Sequence, residues 1–358
     1  MKEKLAIGVI GCGYWGPNLI RNFLSLDGST VKTVCDLSEQ RLAHIKLLYP
    51  AVATTTDVGV IFRDPGIDAV AIATPVHSHF ILAKSALTSG KHVFIEKPMA
   101  SSVAQCEELN VLAAKKGLTL MVGHTFIYSA PVKKIKELLD SGEMGNIYYL
   151  SSQRLNLGLF QHDINVAWDL AAHDISIILH LFQSMPISVS CQGKAHITRG
   201  IEDVTVISMD FSSSEFAMVT SSWLDPHKVR KLVIVGSRKM IVYDDIEPIE
   251  KIKIYDKSVR VPEHYDLFGE FAYSYHYGDV LSPYFKMSEP VHNECLHFLD
   301  CIRNAFPCLS GGKEGLDVVR ILEAATASLR SNSSKIMLHE STHSHVAGED
   351  CAATDKNE

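Results

Sequence analysis

The 358-residue sequence has no excess of positive charge: Lys and Arg number 34 against 41 Asp and Glu, a formal net charge of −7. Nucleic acid is therefore excluded as an expected partner, because neutralising a phosphate backbone takes clustered Lys and Arg. Also missing is any apolar run of the ~18–20 residues that cross a bilayer, so no membrane is expected. Lys2 and Lys4 ahead of Leu5–Ile10, followed by Gly11-Cys12, imitate a lipoprotein cleavage box. The apolar run is too short for a secretory segment, and it reads as a buried strand entering a glycine turn. The eight cysteines include no C-x-x-C pair. Scattered thiols in a long chain imply reduced, buried side chains and a cytoplasmic protein. His339, His343 and His345 lack a Cys or acid at ligand spacing, so no metal is expected. Repeats and low-complexity tracts are absent.

What is present is an ordinary globular composition, 46% apolar and 21% charged, with a length that suggests two domains. The first part alternates apolar β-branched runs (Leu5–Ile10, Thr30–Cys35, Ala69–Ala73, His92–Ile95, Leu118–Val122) with helical stretches (Pro17–Leu26, Ser38–Leu48, His77–Ser89, Ser102–Lys116). That alternation predicts a doubly wound parallel sheet over residues 1–122. Residues 123–339 change character. One helix is predicted over Val166–Phe182, then six strand-like runs between Ile187 and Tyr255, then helices over Val291–Ala305 and Lys313–Arg330. These predict an α+β domain with a mostly antiparallel sheet. The aromatic-rich stretch Tyr265–Tyr284 reads by default as core, with a substrate-covering loop or a subunit contact as the alternatives. Residues 340–358 are polar, aperiodic and carry five acids against one base, so they predict a disordered tail that holds more than half of the net charge.

Gly11-Cys12-Gly13-Tyr14-Trp15-Gly16 fits G-x-G-x-x-G between a strand and a helix. In that context the glycines serve a tight turn, close approach of a pyrophosphate and helix–strand packing, with the helix N-terminus facing the phosphates. Asp36 ends the second strand, where a carboxylate accepts from ribose hydroxyls and repels a 2′-phosphate. NAD is favoured; Ser38 and Arg41 stand close enough to keep NADP possible. Three more segments fall at carboxyl ends of predicted strands, where an open parallel sheet binds ligands. They are Thr74-Pro75 with His79, then Glu96-Lys97-Pro98, then Gly123-His124. A lysine there, next to a cofactor, can hold a substrate oxygen and stabilise negative charge developing on it. His124 reads equally as a lining of the nicotinamide pocket or as a structural histidine at a strand end.

G-C-G-Y-W-G, the A-T-P-x-x-x-H of Ala73–His79 and the E-K-P of Glu96–Pro98 together resemble the glucose-fructose oxidoreductase/inositol dehydrogenase/rhizopine-catabolism (Gfo/Idh/MocA) family, over nearly the whole chain. The resemblance implies that Lys97 sits near the nicotinamide and the substrate hydroxyl, and that a D-x-x-x-H element supplies the rest of the catalytic set. Here that element is Asp169 and His173; i,i+4 spacing on a helix would aim both at one place. His173 would be the general base and Asp169 its orienting partner or a substrate contact. Arg154 and Asn156 on the next strand, with His162 and Asn165 before the helix, are candidates to read hydroxyls, phosphate or carboxylate. The resemblance also implies a homodimer or homotetramer through the second sheet. It further implies hydride exchange between NAD and a secondary alcohol, most like sugar-nucleotide dehydrogenases acting at C3 of a UDP-N-acetylhexosamine or its uronic acid. A free inositol or other polyol as substrate, and a non-catalytic NAD-binding regulator, are the competing readings.

Overall fold

Residues 4–260 and 273–338 are described by the structure, a computed structural model. The first sheet follows from its strands' composition. β1 (Leu5–Ile10), β2 (Ser29–Cys35), β3 (Ala53–Thr55), β4 (Ala69–Ile72), β5 (His92–Glu96) and β6 (Leu120–Gly123) are all parallel, in the order β3-β2-β1-β4-β5-β6. Every residue of β4 is buried, as a strand covered on both faces must be. The covering helices are α1 (Gly16–Ser25), α2 (Glu39–Leu48), α3 (Gly59–Arg63), α4 (Val76–Thr88) and α5 (Val103–Lys116). Ser38 and Ser102 cap α2 and α5 by accepting the Arg41 and Gln105 backbone N–H, and Gly117 closes α5 at φ 64°. The sheet order reverses between β1 and β4, which opens a crevice beyond their carboxyl ends. Short β3 and α3 lack the apolar periodicity that marks the other elements and were not predicted.

A single 3-10 turn, Thr125–Tyr128, follows β6. Next comes α6 (Ala130–Asp140), also unpredicted, with Pro131 in its first turn, where a missing N–H costs nothing. The second sheet has nine strands: β7 (Ile147–Leu155), β8 (Ser188–Lys194), β9 (Val204–Asp210), β10 (Phe216–Ser222), β11 (Val229–Gly236), β12 (Met240–Asp244), β13 (Ile252–Arg260), β14 (Ser274–Leu281) and β15 (Ile336–Met337). Its order is β14-β13-β12-β11-β7-β10-β9-β8-β15, antiparallel throughout except for β10 beside β7. Helix α7 (Ala172–Phe182) packs on this sheet.

The last two helices, α8 (Pro290–Asn304) and α9 (Gly312–Arg330), return to the first sheet: α8 lies on α1, and α9 lies on α5 and β6 as well as on β8. Phe23, Phe94 and Phe298 meet edge to face with centroids 5.7–6.3 Å apart, tying α1, β5 and α8 into one core. Tyr273, Tyr275, Tyr277 and Tyr284 are exposed rather than core; Tyr275 and Tyr277 lie on β14, the sheet's edge, with a neighbour on one side only, and Tyr273 and Tyr284 flank it. Tyr265, Phe268, Phe271, the three late histidines and the acidic tail lie outside the described residues. Among the described residues no helix is long and apolar enough to cross a membrane.

Candidate active site

The glycine loop is built as its spacing predicts. Gly11 has φ 91°, and a Cβ there would stand 2.5 Å from the Ala73 carbonyl oxygen; one at Gly16 would stand 2.1 Å from the Gly11 oxygen. Both glycines are required by close backbone approach. A Cβ on Gly13 would meet nothing nearer than Arg41 at 3.6 Å, so that position faces the open groove. No side chain caps α1; Pro17 has no N–H and Asn18 donates to the Trp15 carbonyl at 2.9 Å, so the N–H groups left for a ligand are those of residues 13–16 in the glycine loop. Asp36 accepts the Cys12 and Ser38 backbone N–H groups at 2.8 Å each. Burial pushes its carboxyl up, but these two bonds outweigh it and hold the group below the usual carboxylate range. The cradle therefore fits a dinucleotide: open N–H groups, a glycine face and an ionised carboxylate 20 residues beyond Gly16.

Two cavities join at this loop. One, of about 830 Å³, is lined by Gly11, Gly13, Asp36, Leu37 and Arg41; the other, of about 850 Å³, by Lys97, Phe126, Arg154, Asp169, His173 and Trp223. Tyr14, Trp15, Thr74, Pro75, His77 and Gln161 line both, so they form one continuous groove. Lys97 Nζ donates to the Asp169 carbonyl at 2.7 Å and to Asp169 Oδ1 at 3.4 Å, and the Lys97–Pro98 peptide is cis. Asp169 Oδ2 accepts from Trp223 Nε1 at 3.1 Å.

This corrects the expected pairing of Asp169 with His173. Residues Ala167–Ala171 form a π turn, which adds a residue per turn, so positions four apart no longer stack as they do in an α-helix. The Asp169 carboxylate is engaged by Lys97 and Trp223, and no hydrogen bond reaches His173 from it. His173 is instead set by packing. Its ring meets Phe126 edge-on at 4.9 Å, and Nδ1 is buried without a partner. Burial, then the charges of Lys97 and Arg154, hold its pKa well below the ordinary value, so the ring is neutral and free to accept a proton.

Arg154 lines the groove but is buried. Its Nε and Nη2 donate to Asp174 Oδ2 and Oδ1 at 2.7 and 3.2 Å, and its guanidinium lies 4.5 Å over the Phe126 ring. Asn156 also lines the groove. Two of the expected substrate contacts do not. His162 is exposed outside the lining, and Asn165 is structural, bonding Glu202 Oε2 and accepting the Trp168 N–H. His79 is likewise a staple, spanning the carbonyls of Thr74 (2.8 Å) and Pro98 (2.9 Å) behind the groove. His124 does not line the groove at all. It faces a separate cavity of about 280 Å³ behind α7, and burial, helped by the Lys97 charge, pushes it down to about 3. Glu96 lines the groove beside Lys97, with its Oε1 buried, and burial pushes its carboxyl up to about 7.

Several groove residues escaped the sequence. Phe126 and Trp223 look like core by composition. Arg230 sits on a predicted strand with no motif and Lys228 just before it; behind the groove, Glu294, bonded to Thr125 beside Glu96, lies in a distant helix. Asp174 alone carried a signal, as the residue after His173. Among the described residues no cluster of three or more His, Cys, Asp or Glu could hold a metal.

Comparison with known proteins agrees with this geometry. Residues 5–124 match the model of the GFO_IDH_MocA oxidoreductase family, NAD-binding Rossmann fold, and residues 132–242 match the GFO/IDH/MocA C-terminal domain, together well over half of the chain. The chain is 29% identical over 229 residues to 1-carboxy-3-chloro-3,4-dihydroxycyclohexa-1,5-diene dehydrogenase of Comamonas testosteroni, covering 61% of this chain and 58% of that protein. It is 24% identical to scyllo-inositol 2-dehydrogenase (NAD(+)) of Bacillus subtilis, over 85% of this chain and 88% of that one. In fold it matches UDP-N-acetylglucosamine 3-dehydrogenase GnnA of Acidithiobacillus ferrooxidans with TM-score 0.76 at 22% identity, covering 93% of this chain and 100% of that one.

Proposed function

This chain belongs to the GFO/IDH/MocA family and is an NAD-dependent oxidoreductase; we propose that it moves a hydride between NAD and a secondary alcohol of a sugar nucleotide, at C3 of a UDP-N-acetylhexosamine or its uronic acid. The observation that carries the reading is the convergence of Lys97 and His173 on one cavity that continues into the glycine-loop groove. Gly11, Gly13, Gly16 and Asp36, with the open N–H groups of residues 13–16, would hold the dinucleotide, which when bound supplies the hydride acceptor. Lys97, held by Asp169, donates to the reacting oxygen and stabilises the alkoxide as it forms. His173, neutral and facing the same cavity, takes the hydroxyl proton. Asp169 is then a positioning residue for Lys97, with Trp223 fixing its far oxygen.

An anionic substrate is supported by the basic lining: Lys97, Arg154, Lys228 and Arg230. Lys228 is exposed and has no ion-pair partner among the described residues, whereas Arg154 and Arg230 each face a carboxylate, Asp174 and Asp245. That engagement favours the second reading, a neutral cyclitol or free sugar, which needs no cation. A binding-only regulator has no chemical use for Lys97 and His173 together. A homodimer or homotetramer is proposed with the family resemblance, since the second sheet leaves Tyr149 and Val206 exposed. NADH formation across UDP-N-acetylhexosamines, their uronic acids and inositols tests the reading. Turnover of inositols alone rejects the sugar nucleotide, and silence with every alcohol under both NAD and NADP rejects the enzyme.

A further inference from the structure

Seven cysteines are described, and all are free thiols. Five of them (Cys12, Cys35, Cys106, Cys191 and Cys295) have thiols pushed up by burial, as inert core cysteines do. Cys301 and Cys308 differ in placement. Cys301 is on the last turn of α8, the helix ends at Asn304, and Ala305 at φ 53° turns the chain so that Cys308 comes back over it. Cys301 Sγ donates a weak hydrogen bond to the carbonyl of Pro307, the residue before Cys308, at 3.9 Å, and the two thiols are close enough to shift each other's pKa. One turn earlier on α8, His297 brings Nε2 to 3.3 Å from Cys301 Sγ. That nitrogen also accepts the Leu309 backbone N–H at 3.0 Å, so it is the unprotonated ring nitrogen, its lone pair shared between the amide and the thiol. Both residues line a surface cavity of about 500 Å³ walled by Ile302, Phe306, Pro307 and Gly311, apart from the NAD groove; Cys308 is partly exposed at its wall and Cys301 is buried behind it.

We propose that Cys301 and Cys308 are a dithiol modification site, oxidised by a peroxide to a reversible disulfide. His297 takes the Cys301 proton. The Cys301 thiolate attacks one peroxide oxygen, the O–O bond breaks and hydroxide leaves, giving a sulfenic acid. The Cys308 sulfur then attacks Cys301 as its own proton is lost, the S–O bond breaks and water leaves, giving the disulfide. The two sulfurs lose two electrons and the peroxide gains them. Two equivalents of a small thiol reverse the reaction by exchange.

The order of attack follows from the surroundings. Cys301 is pushed down to about 6, first by the neighbouring Cys308 thiol and then by His297, against its burial, while Cys308 is raised by Cys301 and by burial. The other titratable groups around the pair are Asp300 on α8, Glu314 and Lys313 on α9, His92 on β5, and Tyr128 from the turn after β6, whose ring lies 5.4 Å from that of His297. The turn the disulfide would close is anchored to the first sheet, because Ser310 Oγ donates to the Val122 carbonyl at 2.7 Å and its own carbonyl accepts the Val122 N–H at 2.8 Å.

Peptide mapping of the full-length protein after hydrogen peroxide treatment and alkylation tests this. Trypsin cleaves at Arg303, so the expected product is a linked pair, Met287–Arg303 joined to Asn304–Lys313, with fragmentation placing the bond on Cys301 rather than Cys295, and dithiothreitol restoring the separate peptides. Cys308→Ser should trap a dimedone-reactive sulfenic acid on Cys301, and His297→Gln should slow oxidation severalfold at neutral pH. The rate should reach half its plateau near pH 6 instead of in the usual thiol range. Cys301 and Cys308 both alkylated after peroxide, or a sulfenic acid trapped on Cys308 in Cys301→Ser protein and none on Cys301 in Cys308→Ser protein, would overturn the proposal. The wild-type mapping decides the first point whether or not the variants fold.

Discussion

Asp174→Asn offers a sharp test of how the groove is held together. The Arg154 and Asp174 side chains are only 7% and 5% exposed, and the contact is two-pronged, with Ser152 Oγ adding a third bond to Asp174 Oδ1 at 2.7 Å. Neutralising Asp174 leaves a guanidinium buried without its counter-charge, a loss of about 3–5 kcal/mol. The same change frees Arg154 from its seat over Phe126, the ring that fixes His173, so turnover should fall along with stability. Removing both charges is different. Arg154→Met with Asp174→Leu should recover stability to within about 1 kcal/mol of the parent, since well-packed apolar replacements of a buried pair are often neutral or better. It should not recover kcat/KM. Urea unfolding of the two variants, with steady-state kinetics on the same preparations, gives both numbers. If Asp174→Asn costs less than about 1 kcal/mol, the pair behaves like an exposed one and the reasoning about its burial is wrong.

Asp36→Ala removes the acceptor facing the nucleotide and two backbone bonds of its loop. NAD affinity should drop about tenfold or more, from a charge-assisted bond of about 1.5–3 kcal/mol, and NADP should lose less. Titration by fluorescence quenching would contradict the cofactor assignment if NADP suffered more. His124 is held neutral down to about pH 3, so between there and the ordinary histidine value the unfolded chain binds a proton that the folded chain refuses. Stability from this group is complete above about pH 6.5 and falls on acidification by about 1.4 kcal/mol per pH unit. Glu96, raised to about 7, pulls the other way and loses its contribution as pH rises. The comparison of interest is therefore the flatter acid slope of His124→Leu against the parent in urea unfolding at pH 5 and 7; equal slopes would mean that His124 is not held neutral. In alcohol oxidation the acid limb of kcat/KM should lie below pH 6.5, since His173 keeps its neutral form there.

The cofactor half of the site was legible because its constraints are local. A strand, a glycine turn, a helix and a terminal acid lie within 36 residues, and Gly11, Gly16 and Asp36 do what their spacing implies. The substrate half was legible only as a residue set. Lys97, Asp169 and His173 do share one cavity, but the π turn at Ala167–Ala171 rewired them, and no apolar periodicity announces a one-residue bulge in a helix. Arg154 was found and its partner was not, because a buried ion pair 20 residues apart is fixed by how α7 packs on β7 rather than by spacing. His79 and Asn165 read as site residues because a polar side chain inside the fold is either ligand-binding or internally bonded, and only coordinates separate the two; His124 is buried with neither ring nitrogen bonded. The pairing of Cys301 with Cys308 depends on the Ala305 reversal, which seven-residue spacing does not reveal.

The most direct test of the central claim is a paired measurement on Lys97→Ala and His173→Ala. Single-turnover NADH formation is followed with the best alcohol substrate, alongside NAD binding to the same proteins. If both residues act on the reacting oxygen, turnover falls by about 100-fold or more, as for loss of a positioned acid–base or charge-stabilising group, while the Kd for NAD stays within a few-fold of the parent. Equal loss of turnover and NAD affinity, or full turnover without either residue, would contradict it.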